Sequence, residues 1–142
     1  MREIATKANF HVLNLAMDMY YYDINHRFSY KWFHAKMTKF SHVKSSDPED
    51  IRMEHNNSNT QSVMCGWHLS YFMSNSMISN KIHNFSHQEL NTTRLTSSNH
   101  IDQCVKDNVS WHNGDKLYYI ETRDNQNLPP YYEMLPRYKN SD

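Results

Sequence analysis

Glycine, alanine and cysteine are scarce in this 142-residue chain, which has two Gly, four Ala and two Cys. With only Gly66 and Gly114, the sequence contains no glycine-rich phosphate loop and no G-x-S-x-G nucleophile elbow. Cys65 and Cys104 lie too far apart for a C-x-x-C redox or zinc motif. We therefore expect no cofactor and no metal bound through cysteine.

Leu, Ile, Val and Phe together number only 26, about 18% of the chain. Such a fraction is common in disordered chains, but the zero net charge argues against disorder. The 19 aromatic residues and nine Met can supply the missing apolar area. The composition thus predicts one compact domain over residues 1–124, with a proline-containing tail over residues 125–142 that packs on the domain.

Polar residues such as Asn9, Asn14 and Asp18 interrupt the N-terminal segment where a signal peptide would be uniformly apolar. We expect a cytoplasmic protein without membrane association, in which both thiols stay reduced. The alternative is one disulfide, if the chain is exported. The excess of Asn and Tyr over Gly and Ala is typical of an AT-rich genome. It is also typical of a fast-evolving viral or phage accessory gene, whose product would act in the host cytoplasm.

Apolar residues recur at helical spacing in residues 12–20 and again in residues 28–40. Residues 63–73 alternate as in a strand, but length favours a helix over residues 67–82. Asp47 and Pro48 predict the start of a short helix that ends near His55.

Ser86 and Glu89 match a capping box, which predicts a helix that begins at His87. Another short helix is expected from Asn99. The pair Asn113-Gly114 predicts a hairpin, because both residues tolerate the positive φ angles of a type I′ turn. Since glycine is otherwise scarce, a β-rich fold is disfavoured. The expected fold class is mainly α (α+β), a small helical domain with one C-terminal hairpin or small antiparallel sheet.

Ten histidines suggest a metal site or histidine-dependent catalysis. Only His83 and His87 have the i, i+4 spacing of two ligands on one helix face. If Ser86 caps a helix, a boundary separates them, so we expect no metal site. Local sequence marks no Ser-His-Asp or Cys-His pairing, so no catalytic residue is assigned and an enzyme is disfavoured.

Residues 27–44 carry five basic residues, interleaved aromatic rings and no acid. This mixture is typical of nucleic-acid sites, where phosphates take the charge and exposed rings stack on bases. The alternative is that the rings form the buried stripe of a helix and the lysines its solvated face. The candidate nucleic-acid-binding residues are Arg27, Tyr30, Lys31, Trp32, Lys36, Lys39 and Lys44.

Residues 129–132 (Pro-Pro-Tyr-Tyr) fit the pattern P-P-x-Y, which resembles ligands of WW domains. Pro129, Pro130 and Tyr132 would then form a peptide-ligand motif. The alternative is that these residues pack the tail onto the domain, through Leu128, Tyr131, Tyr132, Met134 and Leu135.

The function that these observations favour is a small non-enzymatic accessory protein that binds another macromolecule, with another protein as the preferred partner. A viral or phage protein that binds a host factor fits this description. A nucleic-acid-binding protein using residues 27–44 is the first alternative, and a His-dependent hydrolase or nuclease is the second.

The nucleic-acid alternative makes a prediction that salt can test. If some of the five basic residues in 27–44 meet phosphates, log affinity should fall with log salt at a slope of roughly −2 to −3. Lys31→Glu and Lys39→Glu should then both weaken the complex without unfolding the protein. The preferred function instead predicts DNA and RNA dissociation constants no tighter than about 10⁻⁴ to 10⁻⁶ M at physiological salt, measured by fluorescence anisotropy.

Overall fold

The computed structural model describes residues 11–54 and 60–136, within which five strands form one antiparallel sheet. β1 is hydrogen-bonded to β2, β3 and β4, and β5 is hydrogen-bonded to β2. The strands are β1 (Val12–Tyr21), β2 (His26–Trp32), β3 (Lys36–Thr38), β4 (Thr60–Ser70) and β5 (Tyr118–Tyr119).

Five short α-helices occur in the same ranges, and the longest has ten residues. None of the helices in the described part of the chain is long and apolar enough to cross a membrane. Single 3₁₀ turns lie at Gln88–Leu90, Thr122–Asp124 and Tyr132–Met134. The α-helices are α1 (Phe40–Val43), α2 (Pro48–Met53), α3 (Asn75–Asn84), α4 (Thr93–Thr96) and α5 (Ser98–Lys106).

Contacts divide the chain into two compact units. Unit 1 comprises Met1–Met17 and Lys31–Gly66, and it contains β3, α1 and α2. Unit 2 comprises Asp18–Tyr30 and Trp67–Asp142, and it contains β5 and helices α3 to α5. Strands β1, β2 and β4 each contribute residues to both units.

The prediction of a mainly helical fold is wrong, because residues 12–20 belong to strand β1. Eight of the ten residues of β1 are buried, so both faces of this strand are covered. A strand that is buried on both faces loses the alternation of polar and apolar residues. Its nearly continuous apolar run then satisfies helical spacing as well as strand spacing.

The helices predicted over residues 28–40 and 67–82 are also wrong, because strands occupy most of the first segment and the start of the second. Residues 28–40 form most of β2 and all of β3. Residues 67–82 are divided between the end of β4 and α3. Ser74 sets this division, because its side chain accepts a hydrogen bond from the Met77 N–H and starts α3 there.

Tyrosine and asparagine, rather than glycine, occupy most of the left-handed backbone positions of the described residues. Besides the two glycines, positive φ angles occur at Tyr22 (67°), Tyr71 (62°), Asn108 (53°) and Tyr131 (58°). Such a conformation costs roughly 1–2 kcal/mol for a residue with a Cβ and persists where surrounding contacts enforce it. The scarcity of glycine therefore did not exclude a sheet.

The predicted helix from Pro48 is confirmed, and Asp47 caps it by accepting from the Glu49 N–H at 2.8 Å. The capping box at Ser86 is wrong, because only the 3₁₀ turn Gln88–Leu90 follows it and the Glu89 carboxylate contacts the His87 ring. The Glu89 carboxylate bonds to this imidazole instead of to the Ser86 N–H, which a capping box requires.

The helix predicted from Asn99 is confirmed as α5, although it begins at Ser98 with Ser97 as its cap. The reversal at Asn113-Gly114 is also confirmed, because Val109 and Lys116 form an antiparallel bridge across it. The turn is wider than type I′, since only Gly114 of the pair has a positive φ.

Tyr20, Ile24 and Phe72 form one cluster of the hydrophobic core of unit 2. Trp67 donates its indole N–H to the Asn127 carbonyl at 2.7 Å and so ties the tail to this core. The partly buried residues packed against the cluster are Trp67, Leu69, Leu128, Tyr132 and Leu135.

Tyr131 and Tyr132 form a matched pair for testing how the tail packs. Tyr132 packs on the core cluster as expected, whereas the expected packing of Tyr131 and Met134 is wrong, because Tyr131 is 78% exposed and Met134 is 82% exposed. We expect Tyr132→Ala to lower the free energy of unfolding by about 2 kcal/mol, since it removes a half-buried ring. Tyr131→Ala should change it by less than about 0.5 kcal/mol. Urea unfolding measures both, and equal effects would contradict the packing.

Candidate functional site

Two cavities in unit 2 share Trp111 and His112 as wall residues. The first, the aromatic cavity, has a volume of about 250 Å³. The second, the polar cavity, has a volume of about 270 Å³. The aromatic cavity is lined by Tyr21, Tyr71, Phe85, His87, Leu90, Trp111 and His112. The polar cavity is lined by Arg94, His100, Cys104, Val109, Ser110, Trp111, His112, Asn113 and Gly114.

Four segments bring the rings of the aromatic cavity together. Tyr21 is the last residue of β1, and Tyr71 follows β4 in the left-handed conformation. Phe85 ends α3, and Trp111 lies in the loop between α5 and β5. The first segment ends a strand that is buried on both faces, so Tyr21 is itself only 6% exposed.

The rings pack edge to face, at the distances typical of aromatic pairs. The Tyr21 and Tyr71 centroids are 5.0 Å apart, and the Tyr71 and Trp111 centroids are 5.6 Å apart. The ammonium of Lys81 lies 4.3 Å from the Tyr71 ring centroid, within cation–π range. Burial raises the pKa of Tyr71. The nearby indole N–H of Trp111 acts in the opposite direction and offsets only part of this increase. That N–H does not reach hydrogen-bond geometry with any described residue.

In the polar cavity, helix α5 presents His100 and Cys104 one turn apart. The His100 Nε2 atom lies 2.8 Å from the Trp111 carbonyl oxygen, to which it donates, and 3.6 Å from the Cys104 Sγ. Burial raises the pKa of the Cys104 thiol, and Asp107 adds to this effect. The thiol is therefore neutral at physiological pH, which disfavours a nucleophilic role.

Ser110 and His112 form the closest approach to a catalytic pairing. The Ser110 Oγ lies 2.7 Å from the His112 Nδ1. Burial lowers the pKa of His112, and the neighbouring Asp115 offsets this in part. Asp115 accepts hydrogen bonds from the Asn113 amide and the Tyr30 hydroxyl. Ser110 is only 1% exposed, so its hydroxyl is poorly placed to attack a substrate.

The structure distributes the predicted nucleic-acid-binding residues between the two units. Arg27 and Tyr30 belong to unit 2. The Arg27 guanidinium lies 3.9 Å from the Asp18 carboxylate, and the half-exposed Tyr30 donates to Asp115. Lys31, Trp32, Lys36, Lys39 and Lys44 belong to unit 1.

Within unit 1, the Lys36 ammonium donates to the Asn14 side chain and to the Glu54 carbonyl. Lys44 lies over the Phe40 ring at 5.1 Å. Lys39 is exposed and lines a cavity of about 340 Å³, the unit-1 cavity. The described residues that line this cavity are His11, Lys39, Ser41, His42 and Ser45.

His83 lies in α3, whereas His87 follows the end of that helix, so the two do not share a helix face. Across residues 11–54 and 60–136, no group of three or more His, Cys, Asp or Glu side chains is placed to hold a metal ion.

In the P-P-x-Y segment, Pro129 is buried and Pro130 is exposed, while Tyr132 packs on the core.

Most residues of the two cavities were not identified as site residues from the sequence. Tyr21, Tyr71 and Trp111 are 40 or more residues apart, and no spacing rule connects them. Phe85 and Leu90 do flank the Ser86–Glu89 pattern, as the hydrophobic staple that accompanies a capping box. That signal placed them near each other but did not indicate that they face a cavity.

Comparison with known proteins finds no protein-family model, no curated protein and no solved structure that matches this chain. The functional argument therefore rests on the geometry of the cavities.

The lowered pKa of His112 makes stability depend on pH. The folded protein keeps this imidazole neutral where the unfolded chain begins to protonate, near its ordinary pKa of 6.5. Stability is therefore fully present above that pH and is lost as the pH falls below it, because the unfolded state binds more protons. Urea unfolding at about pH 7.5 and pH 5.5 should show a smaller loss in His112→Gln than in wild type. His83→Gln, at an exposed histidine, should retain the wild-type loss.

Proposed function

We propose that this protein is a small non-enzymatic accessory protein that binds another protein, with the aromatic cavity receiving one side chain of that partner. The observation that carries the proposal is the ring-lined wall around a volume of about 250 Å³. Pockets that desolvate a single anchor residue commonly supply most of the binding free energy of a protein interface.

The volume of the aromatic cavity supports a side chain rather than a free small molecule. Small-molecule sites usually enclose about 300–1,000 Å³. An anchor side chain needs less enclosed space, because the backbone that carries it stays outside the cavity. The exposed His87 at the wall can then donate to or accept from that backbone.

The backbone contacts of Ser110 support the non-enzymatic part of the proposal. The Ser110 N–H donates to the Asp115 carbonyl at 2.8 Å, and the Ser110 carbonyl accepts from the Gly114 N–H at 3.0 Å. These bonds hold the turn, and the contact between Ser110 and His112 completes it. A catalytic serine must instead reach a substrate carbonyl while its base stays in contact.

Nucleic-acid binding is a second candidate, and the unit-1 cavity is the observation that favours it. Lys39, two imidazoles and two serine hydroxyls line this cavity, and such donors suit a phosphate group. In the salt titration described above, Lys39→Gln should weaken any complex. Lys44→Gln should not, since Lys44 lies over the Phe40 ring.

We place the binding function in the cytoplasm, where a reducing environment keeps thiols reduced. Cys65 and Cys104 are not joined by a disulfide, which is consistent with this compartment.

Two variants of unit 2 test the proposal. Leu90 lines the aromatic cavity, whereas Met77 is 58% exposed on α3 and does not line it. A partner captured by the wild-type protein and then purified should bind Leu90→Asp at least about tenfold more weakly, as expected when an anchor pocket is disrupted. Met77→Asp should bind it as wild type does.

Circular dichroism and thermal unfolding must first show that both variants are folded. Equal binding by Leu90→Asp and wild type, or equal loss in both variants, would overturn the role of the aromatic cavity. A purified protein that captures no partner would contradict the proposal as a whole.

A further inference from the structure

We propose that the polar cavity of unit 2 binds a small oxyanion, a carboxylate or a phosphate group, through the Arg94 guanidinium and the His112 imidazole, with His100 in the same wall. This site is distinct in chemistry from the aromatic cavity, although the two share a wall. It therefore goes beyond the protein-binding function proposed above.

Several hydrogen-bond donors lie among the residues that line the polar cavity. Arg94 offers five N–H groups in a planar fork that matches a carboxylate or phosphate. The Ser110 hydroxyl and the Asn113 amide lie in the same wall, where they contact His112 and Asp115 respectively. No Asp or Glu lines the cavity, and Arg94 forms no ion pair or hydrogen bond with any residue in 11–54 or 60–136.

Among the residues that line the polar cavity, the Arg94 guanidinium is the group with a permanent formal charge. Arg94 lies close enough to Cys104 to lower the pKa of its thiol, but burial and Asp107 outweigh this effect. The thiol thus stays neutral and does not compete with a bound anion. Asp107 and Asp115 lie nearby, and each already accepts a side-chain hydrogen bond, from Gln103 and Asn113 respectively.

The His112 imidazole couples anion binding to protonation. The groups that face His112 are the Ser110 hydroxyl, the Tyr21 and Trp111 rings, and the Asp115 carboxylate. Burial holds the pKa of His112 below its ordinary value. A nearby anion stabilises the imidazolium, so binding should raise that pKa and should strengthen as the pH falls.

The probes are sodium acetate and sodium phosphate, with sodium chloride at matched ionic strength and pH. Histidine-ring NMR of the whole protein should show saturable shifts at His100 and His112 with at least one of the two oxyanions. The pKa of His112 should rise in its presence. Saturation by acetate indicates a carboxylate ligand, and saturation by phosphate indicates a phosphoryl group.

Arg94→Gln should weaken oxyanion binding about tenfold, as expected for one charge-assisted hydrogen bond, and Arg94→Lys should retain part of it. Arg123→Gln is the control, because Arg123 is exposed in the same unit and lies outside the cavity. Leu90→Asn alters the aromatic cavity without adding charge beside the shared His112 and should leave oxyanion binding intact, so a failure of the aromatic cavity can be distinguished from a failure here.

Two results would overturn the assignment. One is that chloride produces the same shifts as both oxyanions, which would show general screening. The other is that Arg94→Gln and Arg123→Gln weaken binding equally, which would show a non-specific effect of net charge.

Discussion

Tyr22 is the residue on which the arrangement of unit 2 depends. It is fully buried in a left-handed conformation at the turn between β1 and β2. Its N–H donates to the Ser70 carbonyl at 3.1 Å, and its hydroxyl donates to the Val109 carbonyl at 2.9 Å. The backbone and the side chain of this one residue thus join the ends of β1 and β4 to the loop that carries Trp111, and these contacts offset the backbone strain.

The same loop gives the two cavities their different chemistry. Trp111 and His112 belong to both walls, with aromatic rings on the side of Tyr71 and hydrogen-bond donors on the side of α5. The Val109–Lys116 bridge and the Ser110–Asp115 backbone bond fix the ends of this loop. The loop can therefore hold Trp111 and His112 between the two cavities. Binding surfaces on loops are specific when a rigid scaffold positions them in this way.

Secondary structure could be predicted from the sequence only where a local interaction decides it. Asp47 and Pro48 start α2, and Asn113-Gly114 reverses the chain, because the groups involved lie within a few residues of one another. Residues 12–20 were predicted as a helix, since burial on both faces of β1 hides the period of two. Whether a strand is covered on both faces is a property of its neighbours.

By itself, the sequence determined the Asp47 cap of α2, the reversal before β5 and the reliance on aromatic residues for apolar area. Each of these follows from side chains acting on adjacent backbone or from total composition. Only the tertiary structure decided that Tyr22 and Tyr71 take left-handed positions, because distant contacts stabilise conformations that their own Cβ atoms disfavour. It also decided the two cavities. Tyr21 and Tyr71 meet Trp111 in one cavity, and Arg94 and His100 meet it in the other, only after the chain has folded.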